Sequence, residues 1–224
     1  MLPRVSDFQR RLRASHGDAI STLQPTLEPA LLQDLQRFES PAQHPRRLEV
    51  LEVVAAAVRH HRPLRLLVQH EEHVLPMTVL PRERVVLAPL PLAQWSLLRW
   101  STLKVLQVEP GAGPGVDAQP AHGAPLGVVL WALALHGSRA ELLPEIAGPV
   151  AYRIAPSTDL SALDLGGPLA SAMTRLRRHT TPLRDISRWP GLDRERAMRL
   201  LNGVYLQAGL IVTRSHPAAM GAAA

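Results

Sequence analysis

Cysteine is absent from this 224-residue chain. That excludes disulfides, thiolate nucleophiles, iron–sulfur clusters and cysteine-ligated zinc together, so burial alone must hold the fold. Aromatic residues make up only 4%, too few for the stacking platforms on which single-stranded nucleic-acid binders lay successive bases. The longest apolar run, Ala124 to Leu135, falls short of the ~20 residues that a membrane-spanning helix needs. Met1 to Arg13 is polar throughout and lacks the basic, apolar, small-residue order of a secretory signal, so a cytoplasmic chain with no membrane partner is expected. Lysine is nearly missing as well: of 25 basic residues only Lys104 is one. The high isoelectric point therefore reflects in part a habit of writing arginine for lysine.

What is present is a globular composition, 46% hydrophobic and 20% charged, which suits one large domain or two small ones. The net charge of +6 is local. Residues 1–170 hold 16 basic against 16 acidic side chains, whereas residues 171–224 hold nine arginines against Asp185, Asp193 and Glu195. A concentrated excess of this kind points to a docking surface rather than to general solubility.

Three amphipathic helices open the chain. Ser6 with Gln9 spells a capping box, Thr26 precedes a second apolar stripe from Leu31 to Phe38, and Leu48, Leu51, Val54 and Val58 mark a third helix over about 45–60. The period then changes to two. A tight reversal at Glu71-Glu72 places Leu64, Leu66, Val68 and His70 on one face with His73, Leu75, Met77 and Val79, which predicts an antiparallel hairpin; two acidic residues are poor two-residue turn formers, so a looser loop there is an equal alternative. Pro76 lacks a ladder N–H and marks an edge or a bend. Short strands follow at 84–87 and 103–109, with a helix over 92–100 between them. Pro110 to Pro125 holds four glycines and four prolines and reads as a linker between domains. Beyond it, Leu126 to His136 predicts a buried helix ended by Gly137, and Ala151 to Ile154 a strand.

The expected fold class is thus α+β. Helices with a small antiparallel sheet occupy 1–109, the linker 110–125, and a mainly helical domain 126–224. The end of that second domain carries the clearest pattern. Pro168 to His179 forms one helix, Thr181-Pro182 opens a short helix to Ser187, Trp189-Pro190-Gly191 turns, Asp193 caps a longer helix to Ala208, and Leu210 to Val212 is strand-like. Helix, short helix, turn, longer helix and strand is an order that resembles the winged-helix superfamily over 166–215. It is a degenerate version, since one strand after Gly209 makes no two-stranded wing. The resemblance implies that the helix over 193–208 would be the recognition helix, with Arg196 and Arg199 off its apolar stripe and Arg184 and Arg188 on the short helix reaching a partner. That helix carries no lysine, and Gly203 and Leu206 fall on its would-be reading face.

Other chemistry-bearing patterns favour plainer readings. His60, His61, His70 and His73 fall within 14 residues, and the hairpin pairs the last two. No third or fourth ligand is specified, so solvated histidines are expected and no metal. Gly111-Ala112-Gly113-Pro114-Gly115 follows a strand, but Val116 stands where a phosphate loop needs its next glycine. No Gly-x-Ser-x-Gly elbow exists, and Glu71-Glu72 belong to an exposed turn. No catalytic residue and no cofactor is assigned. The sequence therefore predicts a non-enzymatic regulatory or adaptor protein that contacts another protein through Arg184, Arg188, Arg196 and Arg199, with a transcriptional regulator binding duplex DNA through the same surface as the alternative.

Overall fold

The computed structural model describes residues 2–16, 22–23, 26–39, 48–95, 98–111, 122–163 and 165–214. The chain is α+β with antiparallel sheets, and it divides into two units, Met1–Val129 with His136–Ser138, and Leu130–Leu135 with Arg139–Ala224.

In the first unit, helices α1 (Val5–His16), α2 (Pro29–Glu39) and α3 (Val50–His60) precede strands β1 (Leu64–His70), β2 (His73–Leu80) and β3 (Val85–Ala88). A short helix α4 (Leu92–Trp95), a 3-10 turn at Trp100–Thr102, and strands β4 (Lys104–Pro110) and β5 (His122–Pro125) complete it. The strands form one antiparallel sheet in the order β4-β1-β2-β3-β5. Its core face is the one the alternation marks out: Leu66 stands opposite Met77, Val68 opposite Leu75, and His70 opposite His73. Leu64, Leu66, Val68, Leu75, Met77 and Val79 are all fully buried. Glu71 takes the left-handed conformation that a two-residue hairpin turn demands. Strand β2 lies inside the sheet, yet β3 pairs only with Thr78–Leu80, so at Pro76 it has one neighbour and the missing N–H is tolerated. Helix α3 is buried from Val50 to Ala57, more than one stripe, because α2 packs on one side while β1 and β4 lie on another.

The second unit begins within helix α5 (Leu126–His136) and contains a 3-10 turn at Pro144–Ile146, strand β6 (Ala151–Ile154), helix α6 (Pro168–Arg178), strand β7 (Thr181–Pro182), helices α7 (Leu183–Ile186) and α8 (Arg194–Leu206), and strand β8 (Leu210–Thr213). A three-stranded sheet runs β7-β6-β8. Its centre is β6, a strand from before α6, and β8 pairs with it antiparallel. Trp131, Tyr152, Ile154, Leu176, Ile186, Leu200 and Leu201 share the buried core.

Several boundaries differ from the sequence reading. Pro110 to Pro125 is not the division between domains. Although 112–121 lie outside the described residues, β4 before the stretch and β5 after it belong to one sheet, with Val86 paired to Ala124. The division falls after Val129. Helix α1 starts at Val5, so Ser6 lies inside it rather than capping it. Helix α2 starts at Pro29 and α3 at Val50; there the backbone N–H of Glu49 donates to Glu52 Oε2 at 3.2 Å, which satisfies one orphan donor of the first turn. Thr181-Pro182 pairs with β6 and does not open the short helix, which starts at Leu183. At the end of α8 the left-handed residue is Ala208 rather than Gly209. Glycine is required at 209 for space: a Cβ there would run into Thr158.

Candidate protein-contact site

Helix α8 is held by its own middle. Asp193 caps it, accepting from the backbone N–H of Arg196 at 2.7 Å, which satisfies an N-terminal donor. From Leu200 to Val204 every residue is buried. Five consecutive residues exceed one 3.6-residue turn, so the helix is covered on all sides there. Two contacts explain it. Asn202, fully buried, accepts from the backbone N–H of Leu143 at 2.9 Å and donates through Nδ2 to the Glu141 carbonyl at 2.9 Å. Gly203 lies against α5, where a Cβ would stand 2.7 Å from the Trp131 ring and 3.5 Å from the Ala134 methyl.

Only the first turn of α8 is therefore exposed, and the four arginines singled out by the sequence fare differently. Arg184 and Arg188 are exposed, with Asp185 between them at 3.7 and 3.6 Å. Arg196 is exposed and donates to the Gly191 carbonyl at 3.2 Å, bracing the turn before the helix. Arg199 does not stand out into solvent: its side chain is 15% accessible, its Nε meets Glu195 Oε1 at 2.9 Å, and its Nη1 donates to the Leu135 carbonyl at 3.4 Å. It belongs to the packing between α8 and α5.

The sequence reading passed over the last turn of α6. Arg175, Arg177 and Arg178 lie there with no acid on the helix. Arg177 is committed internally, donating to the Thr158 carbonyl at 2.8 Å and the Pro156 carbonyl at 3.4 Å. Arg175 and Arg178 are exposed. The Arg175 guanidinium stands 5.5 Å from the centroid of the Trp189 ring, a cation–π distance that joins the end of α6 to the turn carrying Arg188. The available signal was an acid-free window: α6 holds three arginines unopposed, whereas 183–206 hold five against three acids. Cations at a helix C-terminus also favour the helix itself through its dipole.

The other candidates resolve simply. His60 Nε2 lies 3.1 Å from Asp34 Oδ2, alongside Arg59, and His61 is the left-handed cap of α3. Among the described residues no group of three or more His, Asp or Glu side chains could hold a metal ion, and no helix is long and apolar enough to cross a membrane. Of the glycine-rich run only Gly111 is described, pressed against the backbone of Pro63 and Leu64. No protein-family model matches the chain, and no curated protein or solved structure compared with it matches either.

Proposed function

We propose that the chain is a cytoplasmic, non-enzymatic regulatory or adaptor protein whose second unit docks an acidic segment of a protein partner. The contact surface comprises Arg175, Arg178, Arg184, Arg188 and Arg196 around Trp189. One observation carries the choice over duplex DNA: the burial of Leu200 to Val204 on every side. A recognition helix lies in the major groove and contacts base edges from its N-terminal residues, whereas α8 is enclosed by its own unit beyond its first turn, which leaves little of it to enter a groove. Arginines grouped about a partly buried tryptophan match the composition of protein-contact hot spots. The order of α6, α7 and α8 with short strands is in keeping with a winged-helix scaffold used for packing and protein contact, since fold does not fix function.

Two measurements test the proposal. Purified protein titrated with duplex DNA should show no binding even at low salt. A DNA binder making several phosphate contacts would lose about 10³-fold or more in affinity between 50 and 200 mM salt, with an Arg196→Ala/Arg199→Ala variant flattening that slope; such a result would establish the regulator alternative. In parallel, capture from native cells with the intact chain should yield an acidic partner that an Arg178→Ala/Arg188→Ala variant loses. Retention of the same proteins by the variant overturns the assigned surface.

A further inference from the structure

The outer strands of the two sheets are β4 and β5 in the first and β7 and β8 in the second, and three of them are blunted. Leu23 bridges β4 at Val108, whose N–H donates to the Thr22 carbonyl at 2.8 Å. Strand β5 ends in Pro125, and β7 is two residues long with Pro182 as its second. Covers and prolines of this kind keep an edge from taking up another chain. Strand β8 has neither a proline nor a charge in Leu210–Thr213. Its bonding directions follow from its register with β6. The Ala155 N–H donates to the Gly209 carbonyl at 2.9 Å, so by alternation Ile211 with Arg153 and Thr213 with Ala151 are the next hydrogen-bonded pairs. Leu210 and Val212 therefore aim their N–H and C=O groups away from β6, and no described residue meets them there. Their side chains pack on the core of the unit. Ile211 points to the other face and is 43% accessible, the one exposed large hydrophobic side chain among the described residues.

We propose that β8 pairs antiparallel with β8 of a second copy of this chain, joining two three-stranded sheets into one across a two-fold axis. The register selects this occupant. Leu210 and Val212 flank Ile211 symmetrically, so an axis at Ile211 sets Leu210 of each copy against Val212 of the other, and all the outward N–H and C=O groups of these residues are bonded. Ile211 then faces its own copy in the non-hydrogen-bonded position, where Cα atoms stand about 4.5 Å apart and side chains approach most closely. The exposed apolar group is covered by its equal. Charge agrees with the arrangement: residues 205–213 hold no Asp, Glu, Lys or Arg, and antiparallel pairing sends the Arg214 of each copy to opposite ends of the ladder, whereas parallel pairing would set the two side by side. The contact is one short strand wide, well below the ~1,000 Å² of a durable complex, so the dimer is weak and reversible. It uses none of the five arginines of the proposed partner surface and stands independently of that reading.

The intact chain, with no other protein present, is followed by sedimentation and by amide hydrogen exchange from about 10 μM to about 1 mM. A monomer–dimer equilibrium is expected within that range, and the amides of Leu210 and Val212 should exchange more slowly as the dimer fills, while those of Ile211 and Thr213, bonded to β6, are protected throughout. Ile211→Lys sets two like charges face to face and should weaken the dimer by roughly tenfold or more. Because the chain has no cysteine, Ile211→Cys supplies a second reading: under a mild oxidant it should cross-link rapidly to its copy, since that pair has the short Cα separation that a disulfide needs, and Thr213→Cys should not. The proposal is overturned if the chain stays monomeric at about 1 mM, if Ile211→Lys dimerises like the wild type, or if Thr213→Cys cross-links as fast as Ile211→Cys. It is equally overturned if Leu210 and Val212 are fully protected at the lowest concentration, which would mean that the chain covers this edge itself.

Discussion

Helices α6 and α8 carry three arginines each within the same unit, and they put them to opposite uses. On α8 the charge is opposed where it arises: Asp193 caps the helix, Glu195 pairs with Arg199, and the next turn disappears into the core around Asn202. On α6 no acid intervenes, and Arg175 and Arg178 face outward at the end of the helix, one of them above Trp189. A count of arginines per segment does not separate the two. What separates them is which helix the rest of the unit needs for its interior, and variants on each helix should divide accordingly between loss of stability and loss of partner.

The largest loss of stability belongs to Asn202→Leu. It leaves the Leu143 N–H without its acceptor, at about 1–3 kcal/mol, and takes one of two donors from the Glu141 carbonyl, which keeps Arg139 Nε at 3.0 Å. A fall of roughly 2–4 kcal/mol in the urea-unfolding free energy is expected. A loss below about 1 kcal/mol would mean that α8 is not the interior helix described here.

Next comes the alkaline limb. Burial pushes the Tyr152 hydroxyl up to about 12, against a smaller opposing effect of Arg214, while its Oη donates to the Ile146 carbonyl at 2.7 Å. The folded state therefore holds the phenolic proton more tightly than the unfolded state does. The associated stability is fully present below about pH 10 and is lost as pH rises toward about 12, an effect on the order of 3 kcal/mol. Tyr152→Phe should flatten that limb and cost about 1 kcal/mol at neutral pH through the missing hydrogen bond. If the wild-type protein is as stable at pH 11.5 as at pH 8 (conditions chosen around the ~10 reference value), the side chain is not shielded as described.

Gly203→Ala probes the α5 side of α8. Alanine favours a helix over glycine by up to about 1 kcal/mol, but its methyl would press on Trp131, and overpacking costs about 1–3 kcal/mol. A net loss of roughly 1–2 kcal/mol with a shifted tryptophan emission is expected. A gain in stability would show that α5 and α8 do not pack this closely.

The hairpin was legible because its alternation permits a single register: a slip by one residue would turn Leu64, Leu66 and Val68 to the outer face, where Arg65 and Gln69 stand. The cap at Asp193 was legible for a similarly local reason, one side-chain oxygen serving one N–H three residues on. Strand β5 was not legible, since His122-Gly123-Ala124-Pro125 reads as loop composition. It survives as an edge strand with proline at its last position, where a ladder donor is dispensable. Glycine and proline mark where regular structure pauses, and here the pause falls between two strands of one sheet. The two-sided burial of α8 was hidden for a different reason. Its second cover is α5, some sixty or seventy residues earlier in the chain, and the buried Asn202 that meets Glu141 and Leu143 breaks the apolar stripe that periodicity tracks. Arg199 looked like surface because its position lies off that stripe. The Leu135 carbonyl and Glu195 show that its guanidinium is used at home.

The surface substitutions should have the smallest effect on stability and the greatest effect on the partner. Arg178→Ala touches an exposed side chain and should change unfolding by no more than about 0.5 kcal/mol. Arg175→Ala also gives up the contact over Trp189 and should cost about 0.5–1 kcal/mol. Arg199→Ala removes an ion pair in which Glu195 is 54% exposed, so its cost should likewise stay within about 1 kcal/mol. Stability thus does not tell these three apart, whereas partner retention does. Arg175→Ala and Arg178→Ala should release an acidic partner at lower salt than the wild type, and Arg199→Ala should hold it as the wild type does, because its charge is spent between α8 and α5. Equal release by all three variants would erase the distinction between the helices and return the docking surface to α8.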